Sequence, residues 1–181
     1  VSPLPVELGD GALLRRLRMD DLEDVWSVVE AERERLAVWM PWVEHVRTIE
    51  DERRFLETVT ADPRGLDGLG LFVEGRFAGG VGMRLDPFGI VADIGYWVAS
   101  PWEGRGLVTR AVRALLSIAF DELGLHRVTV RAGVENLRSR AIPERLGFTL
   151  EGILRGEGRG TGGFYDLAVY GLLEDEWRTG R

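Results

Sequence analysis

Val91-Ala92-Asp93-Ile94-Gly95-Tyr96-Trp97-Val98-Ala99-Ser100 runs directly into Pro101-Trp102-Glu103-Gly104-Arg105-Gly106-Leu107-Val108-Thr109-Arg110, and this junction decides how the chain folds. The first half is an apolar strand pattern. The second half opens a helix, because Val108, Ala111, Val112, Leu115, Leu116, Ala119, Phe120 and Leu123 recur at the 3.6-residue spacing of one buried face, and Gly124 supplies a stop. Gly104 and Gly106 therefore sit at a helix N-terminus. Unpaired N–H groups converge there with the positive end of the helix dipole, and the missing Cβ atoms let an anion approach the backbone. A strand, a glycine turn and a helix in this order read as a diphosphate cradle.

Other phosphate motifs fit less well. A Walker-type loop needs a lysine before Ser or Thr, and this chain has no lysine at all. A dinucleotide fingerprint needs a third glycine near 109, where Thr109 stands, and an early strand-helix-strand unit, whereas this turn lies past the middle of the chain. Gly158, Gly160 and Gly163 spell a literal G-x-G-x-x-G, but Phe164 to Leu173 reads as a strand, so these glycines mark a hairpin tip.

The 181 residues are 45% apolar, enough for one buried core, and the expectation is a single domain over 1–181. No cysteine is present, which excludes a disulfide framework, Cys-ligated zinc and a thiol acyl-enzyme. Two histidines without spaced carboxylates make no metal site. The net charge of −7, with acids and arginines interspersed, lacks the footprint of a nucleic-acid binder. The opening residues do not read as a signal peptide, and no segment approaches the roughly 20 apolar residues of a membrane span. A soluble, cytoplasmic protein is the expectation. Arginine in place of every lysine fits a GC-rich genome and leaves no amine for Schiff-base chemistry.

Periodicity and turn residues predict a strand at 12–18 and helices at 20–37 and 49–61, the second started by Thr48 with Asp51 three residues on. Strands follow at 69–74, 77–85 and 90–98, then a helix at 105–123, a strand at 126–133, a short helix at 137–146, and strands at 148–156 and 164–173. The class is mixed α/β with an antiparallel front half. The unit from 91 to 132 places two parallel strands side by side through a right-handed crossover. Pro143 cannot donate to the carbonyl of Ser139, so the short helix should bend or tighten there.

Several blocks together resemble the GNAT superfamily of acyl-CoA-dependent N-acyltransferases, in its RimJ/RimL type. They are Leu14-Arg15-Arg16-Leu17-Arg18 with Asp20 and Asp21, Trp39-Met40-Pro41-Trp42, Ile94-Gly95-Tyr96-Trp97, and Gly104-Arg105-Gly106. Further on come Asn136-Leu137-Arg138-Ser139-Arg140-Ala141-Ile142-Pro143-Glu144-Arg145-Leu146-Gly147-Phe148 and Ala168-Val169-Tyr170-Gly171-Leu172-Leu173 ahead of Glu176-Trp177. The resemblance covers nearly the whole chain. It implies a GNAT fold: a twisted, mostly antiparallel sheet, about four flanking helices, and one parallel strand pair splayed at the cofactor site. A splayed pair leaves main-chain groups that the two pantothenate-arm amides of coenzyme A can pair with. The superfamily signature Q/R-x-x-G-x-G/A falls on Glu103, Gly106 and Val108, and only the glycine agrees.

The resemblance also implies a site and an activity. Acetyl-CoA would lie along Tyr96, Trp97, Val98, Glu103, Gly104, Arg105, Gly106, Leu107, Val108, Thr109 and Arg110, with Asn136 and Ser139 opposite. A tyrosine acid common in the superfamily is replaced here by Pro143, and in RimL-like members the serine of Asn-x-x-Ser takes that role, which makes Ser139 the candidate acid. The RimL-like glutamate base falls in register on Gly158, so Glu157 serves only if a bulge re-aims it. Asp93 corresponds to the base of other branches. Trp39, Trp42, Glu44 and His45 would form the acceptor wall, suited to an ammonium group. The expected activity is direct acetyl transfer from acetyl-CoA to a primary amine, above all the N-terminal α-amine of a ribosomal protein. A small-molecule or antibiotic acetyltransferase and a non-catalytic acyl-CoA-binding protein are the alternatives, and a homodimer is compatible with the type.

Overall fold

The computed structural model describes residues 4–61 and 65–180. Strands β1 (Val6–Gly9) and β2 (Ala12–Arg16) form a hairpin, and α1 (Leu22–Ala37) and α2 (Ile49–Ala61) follow. The meander β3 (Leu66–Val73), β4 (Arg76–Leu85) and β5 (Val91–Val98) leads into α3 (Leu107–Ser117) and then β6 (Arg127–Gly133). The chain closes with α4 (Leu137–Arg145), β7 (Thr149–Gly160), β8 (Gly163–Leu173) and α5 (Glu174–Thr179). The eight strands make one sheet in the order β1-β2-β3-β4-β5-β6-β8-β7, with β5 and β6 parallel and the other pairs antiparallel.

Most predicted elements lie where the periodicity puts them. The reciprocal cap is present at α2, where the Thr48 N–H donates to Asp51 Oδ2 (2.9 Å) and the Asp51 N–H donates to Thr48 Oγ1 (3.3 Å). Gly158, Gly160 and Gly163 do flank a hairpin tip, between β7 and β8. Two elements were not predicted: β1, whose four residues are too few for a periodic signal, and α5, which begins directly after β8.

Two expectations need correction. The helix predicted at 105–123 starts at Leu107 and ends as an α-helix at Ser117, and Ile118–Glu122 continues as a π turn. That wider turn rotates Leu123 out to 46% exposure, and Leu125 takes the buried place instead. The tightening expected at Pro143 does not occur either, for α4 runs through it as an α-helix.

Core residues lie on both faces of the sheet. On one, Leu107, Val108, Ala111, Val112, Leu115 and Leu116 of α3 pack against Leu14, Leu71, Ala78, Met83, Ala92, Ile94 and Val130. On the other, Leu22, Val25 and Val29 of α1 and Leu56 of α2 pack on Leu17, Phe72 and Phe77. Each fully buried Leu or Val contributes roughly 1.5–3 kcal/mol, so α3 is seated by its whole inner face and the turn before it is held rigidly. Arg15 grips Asp21 through two bonds of 2.7 and 2.8 Å, tying β2 to the entry of α1. Among the described residues no helix is long and apolar enough to cross a membrane.

One buried charge stands apart from the site. Glu52 of α2 is only 3% exposed, and burial pushes its carboxyl up to about 7 against the pull of Arg33 on α1. Its folded value lies above its unfolded one, so the folded state holds the extra proton. The native contribution is complete below about pH 4.5 and is lost as pH rises through about 7. Glu52→Gln should therefore match the native protein at pH 4 and be more stable at pH 8, by on the order of 2 kcal/mol, as read by thermal unfolding at both pH values.

Candidate active site

Parallel pairing of β5 with β6 stops early. Val91 to Ile94 pair with Arg127 to Val130. Beyond that, β5 continues to Val98 along β4, and β6 continues to Gly133 along β8. The two strands therefore part after Ile94 and Val130, and a cleft of about 880 Å³ opens at the gap. Tyr96, Trp97 and Val98 line one side, Gly104, Gly106, Leu107, Val108 and Thr109 the floor, and Asn136 and Ser139 the other side.

The floor is built by the sequence around it. A 3₁₀ turn at Ser100–Trp102 has Pro101 near its start, and Gly106 caps α3 in the left-handed region, at φ 69°. Gly104 is left-handed too, at φ 72°, and a Cβ on either glycine would meet nothing within 4 Å. Backbone conformation, and not crowding, demands glycine there. The open space faces the first turn of an 11-residue helix, whose N–H groups have no intrahelical acceptor. This arrangement fits a diphosphate.

Strand β5 offers its main chain as well. The Ala99 N–H donates to the Ala78 carbonyl on β4 (2.8 Å), so the Val98 carbonyl points the other way, where Arg35 Nη2 reaches it at 2.6 Å. The alternation of an antiparallel ladder turns the Val98 N–H to the same open side.

Opposite, α4 is fastened at several points. Asn136 caps it by accepting from the Ser139 N–H at 3.2 Å. The Tyr170 hydroxyl, on β8, donates to Glu144 Oε1 at 2.6 Å and accepts from Arg140 Nε at 2.8 Å. Across the cleft the Tyr96 hydroxyl donates to the Ser139 carbonyl at 2.8 Å. That carbonyl is the one Pro143 leaves without a helical donor, which explains how α4 stays helical through the proline. The Ser139 hydroxyl in turn donates to the Tyr96 oxygen at 3.4 Å, a long bond that leaves it free to turn. Burial raises the pKa of Tyr96, so its phenol keeps its proton.

Other residues picked from the sequence lie elsewhere. Asp93 accepts from Thr129 Oγ1 at 2.7 Å and pairs with Arg131 at 3.5 Å, and it does not line the cleft. Glu157 lies in an irregular stretch of β7, between the Leu154 and Gly158 pairings, and is exposed outside the cleft. The ring of Tyr165 covers Gly158, and any Cβ there would come within 2.0 Å of it. Arg105 stacks over Trp102 at 4.8 Å, and Arg110 reaches Asp10 at 3.3 Å, so neither side chain lines the floor. The wall expected from Trp39, Trp42, Glu44 and His45 divides. Trp39 lines the cleft, edge-on to Tyr165 at 5.1 Å. The 3₁₀ turn at Pro41–Glu44 swings Trp42 against Trp97, 6.2 Å away, Glu44 pairs with Arg159 at 3.3 Å, and His45 is exposed.

The sequence reading missed Arg35, Met40, Trp102, Arg138, Ile142 and Arg145, all of which line the cleft. Arg138, Ile142 and Arg145 stand at i, i+4 and i+7 of one helix, a pattern visible in the sequence once that face is known to look inward. Glu103 is the carboxylate among the described lining residues, and it bonds Arg35 at 2.9 Å and also Arg138.

Residues 12–149 match the family model of the acetyltransferase (GNAT) domain. The chain belongs to the GNAT acetyltransferase family. YdaF of Bacillus subtilis (strain 168), provisionally named a ribosomal N-acetyltransferase, is 37% identical over 171 residues, spanning 91% of this chain and 92% of that protein. The microcin self-immunity acetyltransferase MccE, solved with acetyl-CoA and AMP, superposes with a TM-score of 0.87 at 26% identity over 95% of this chain and 97% of its own. RimL, a ribosomal-protein α-N-acetyltransferase solved with coenzyme A, shares the fold at a TM-score of 0.87 and 22% identity, over 95% of this chain and 99% of its own. The splayed pair and the mixed sheet are thus those of a GNAT fold.

The Tyr96–Ser139 bond makes a testable demand on this GNAT chain. Tyr96→Phe should cost about 1–3 kcal/mol in denaturant unfolding, since the Ser139 carbonyl then has neither donor. Adding Pro143→Ala to that variant restores a helical N–H and should recover most of the loss.

Proposed function

We propose that this protein transfers an acetyl group from acetyl-CoA directly to a primary amine, the N-terminal α-amine of a ribosomal protein being the acceptor class. The observation that carries the reading is the parting of β5 from β6, with a glycine cradle at one end and Ser139 at the seam. The diphosphate would lie on the N–H groups of Gly104 to Thr109, and the pantetheine amides on the free edges of β5 and β6. The acetyl carbonyl then meets the Val98 N–H, which would stabilise the oxyanion formed as the amine attacks.

Collapse of that intermediate breaks the C–S bond and leaves a thiolate and an N-protonated amide. The Ser139 hydroxyl gives its proton to the sulfur and takes one from the nitrogen, so the serine ends unchanged and both products are neutral. Tyr96 holds Ser139 for this step by its bond to the carbonyl, and its oxygen parks the serine proton between turnovers. No carboxylate base is required, since an α-amine with a pKa of about 8 is partly neutral at pH 7. Glu157 and Asp93 therefore have no part in the proposed chemistry. The acceptor amine would enter past Trp39 and Met40, where an aromatic face suits an ammonium before it loses its proton to water.

The acceptor class draws its support from YdaF, similar over nine-tenths of both chains. MccE, with its bound AMP, supports a second reading, a small-molecule amine acceptor.

Two measurements test the proposal. Ser139→Ala should lower kcat about 10²- to 10⁴-fold with little change in acetyl-CoA affinity, and a near-native kcat would remove Ser139 from the chemistry. Acetylation of ribosomal-protein N-terminal peptides should vanish when their α-amines are blocked, as read by mass spectrometry. Activity on small amines alone would favour the MccE-like reading.

A further inference from the structure

Glu103 holds the position where the superfamily signature has Gln or Arg, and its surroundings assign it a task of its own. One carboxylate oxygen takes Arg35 Nη1 at 2.9 Å, and the other takes Arg138 Nη1. Arg35 belongs to α1, Glu103 to the turn before α3, and Arg138 to α4. All three line the same cleft. Because α3 follows β5 and α4 follows β6, the Glu103–Arg138 bond joins the two sides of the gap where those strands part. It ties the two sides of the cleft together like a strap.

We propose that Glu103 is a built-in counter-anion that straps Arg35 and Arg138 across the donor cleft and must yield before a donor can enter. The inference rests on acetyl-CoA being the donor. An arginine bonded to Glu103 would meet a diphosphate with one Nη already taken and part of its charge already offset. Entry of acetyl-CoA is then an exchange: Glu103 gives up an arginine, the phosphates replace the carboxylate, and charge stays balanced. A donor without phosphates opens the strap with nothing to put in its place. The arrangement selects for a diphosphate-bearing donor over the bare pantetheine thioester. The arginines are well placed to let go, since Arg138 has a side chain 84% exposed and Arg35 is 41% exposed. Arg35 also keeps Glu32 at 2.6 Å, so it remains anchored when Glu103 leaves.

A strap and a simple repulsion of phosphate by the carboxylate predict different behaviour for a neutral ligand. Coenzyme A and pantetheine, which lacks every phosphate, serve as the probes, with binding measured by calorimetry and by displacement in the absence of acceptor. For Glu103→Gln the strap predicts that both ligands bind about three- to tenfold more tightly, the range of two partly exposed ion pairs. Arg138→Ala also opens the strap, so pantetheine should again gain, whereas coenzyme A should gain less or lose because a phosphate partner has gone. Tightening of coenzyme A alone in Glu103→Gln would replace the strap with through-space repulsion. Unchanged pantetheine affinity in both variants would overturn it as well. Failure of the native protein to bind coenzyme A overturns the donor reading and the strap with it, whereas native binding unaltered by Glu103→Gln overturns the strap alone.

Discussion

Everything in the site follows from where the parallel pairing of β5 and β6 ends. Four residues of β5 are bonded to four of β6, and after Ile94 and Val130 each strand stays with its antiparallel neighbour alone. Unpaired main-chain groups in a protein interior are costly, so a gap of this kind persists only where something else satisfies them. In this chain Arg35 already takes the Val98 carbonyl. The remaining open edge, the glycine turn and the first turn of α3 together present a row of backbone donors and acceptors along one cleft. A long, flexible ligand with amides at one end and phosphates at the other matches that row.

Pro143 shows how a local defect becomes a fixed point between two walls. By removing one helical N–H it leaves the Ser139 carbonyl free, and the hydroxyl of Tyr96 reaches across to take it. A bond inside α4 is exchanged for a bond between α4 and β5. The side chain that needs placing, Ser139, is then fixed by its cap at Asn136 and by Tyr96. Burial raises the pKa of Tyr96 and keeps its phenol a donor, so the contact is insensitive to pH near neutrality.

The charges around the cleft follow a similar economy. Arg35, Arg138 and Arg145 face the space, and in a chain of net charge −7 they form a local positive field where an anion is expected. Glu103 offsets part of it. The carboxylates picked from the sequence as bases are spent elsewhere: Asp93 bonds across the sheet to Thr129 and Arg131, and Glu157 faces solvent. A single sequence shows a carboxylate's position along a strand. It does not show which neighbours have claimed it.

Sequence alone determined the features that depend on short-range physics. The 3.6-residue run from Val108 produced α3, the two glycines before it produced the left-handed turn, Thr48 with Asp51 produced the cap of α2, and the 158–163 glycines marked the β7–β8 tip. Each is settled within about one turn of chain, by sterics, capping or periodicity. The fold type was legible because such local signals fall in the order that the GNAT family shares. Tertiary structure decided what depends on contacts between distant elements. It turned Trp42 to Trp97 and left Trp39 at the cleft, carried Arg110 to Asp10, gave the Ser139 carbonyl to Tyr96 in place of a helical donor, and closed Glu103 onto Arg35 and Arg138. In every case the partners lie on different elements, 35 residues apart for Glu103 and Arg138 and 100 for Arg110 and Asp10. A side chain's choice among distant partners is made by packing and by electrostatics at close range, and neither exists until the chain has folded.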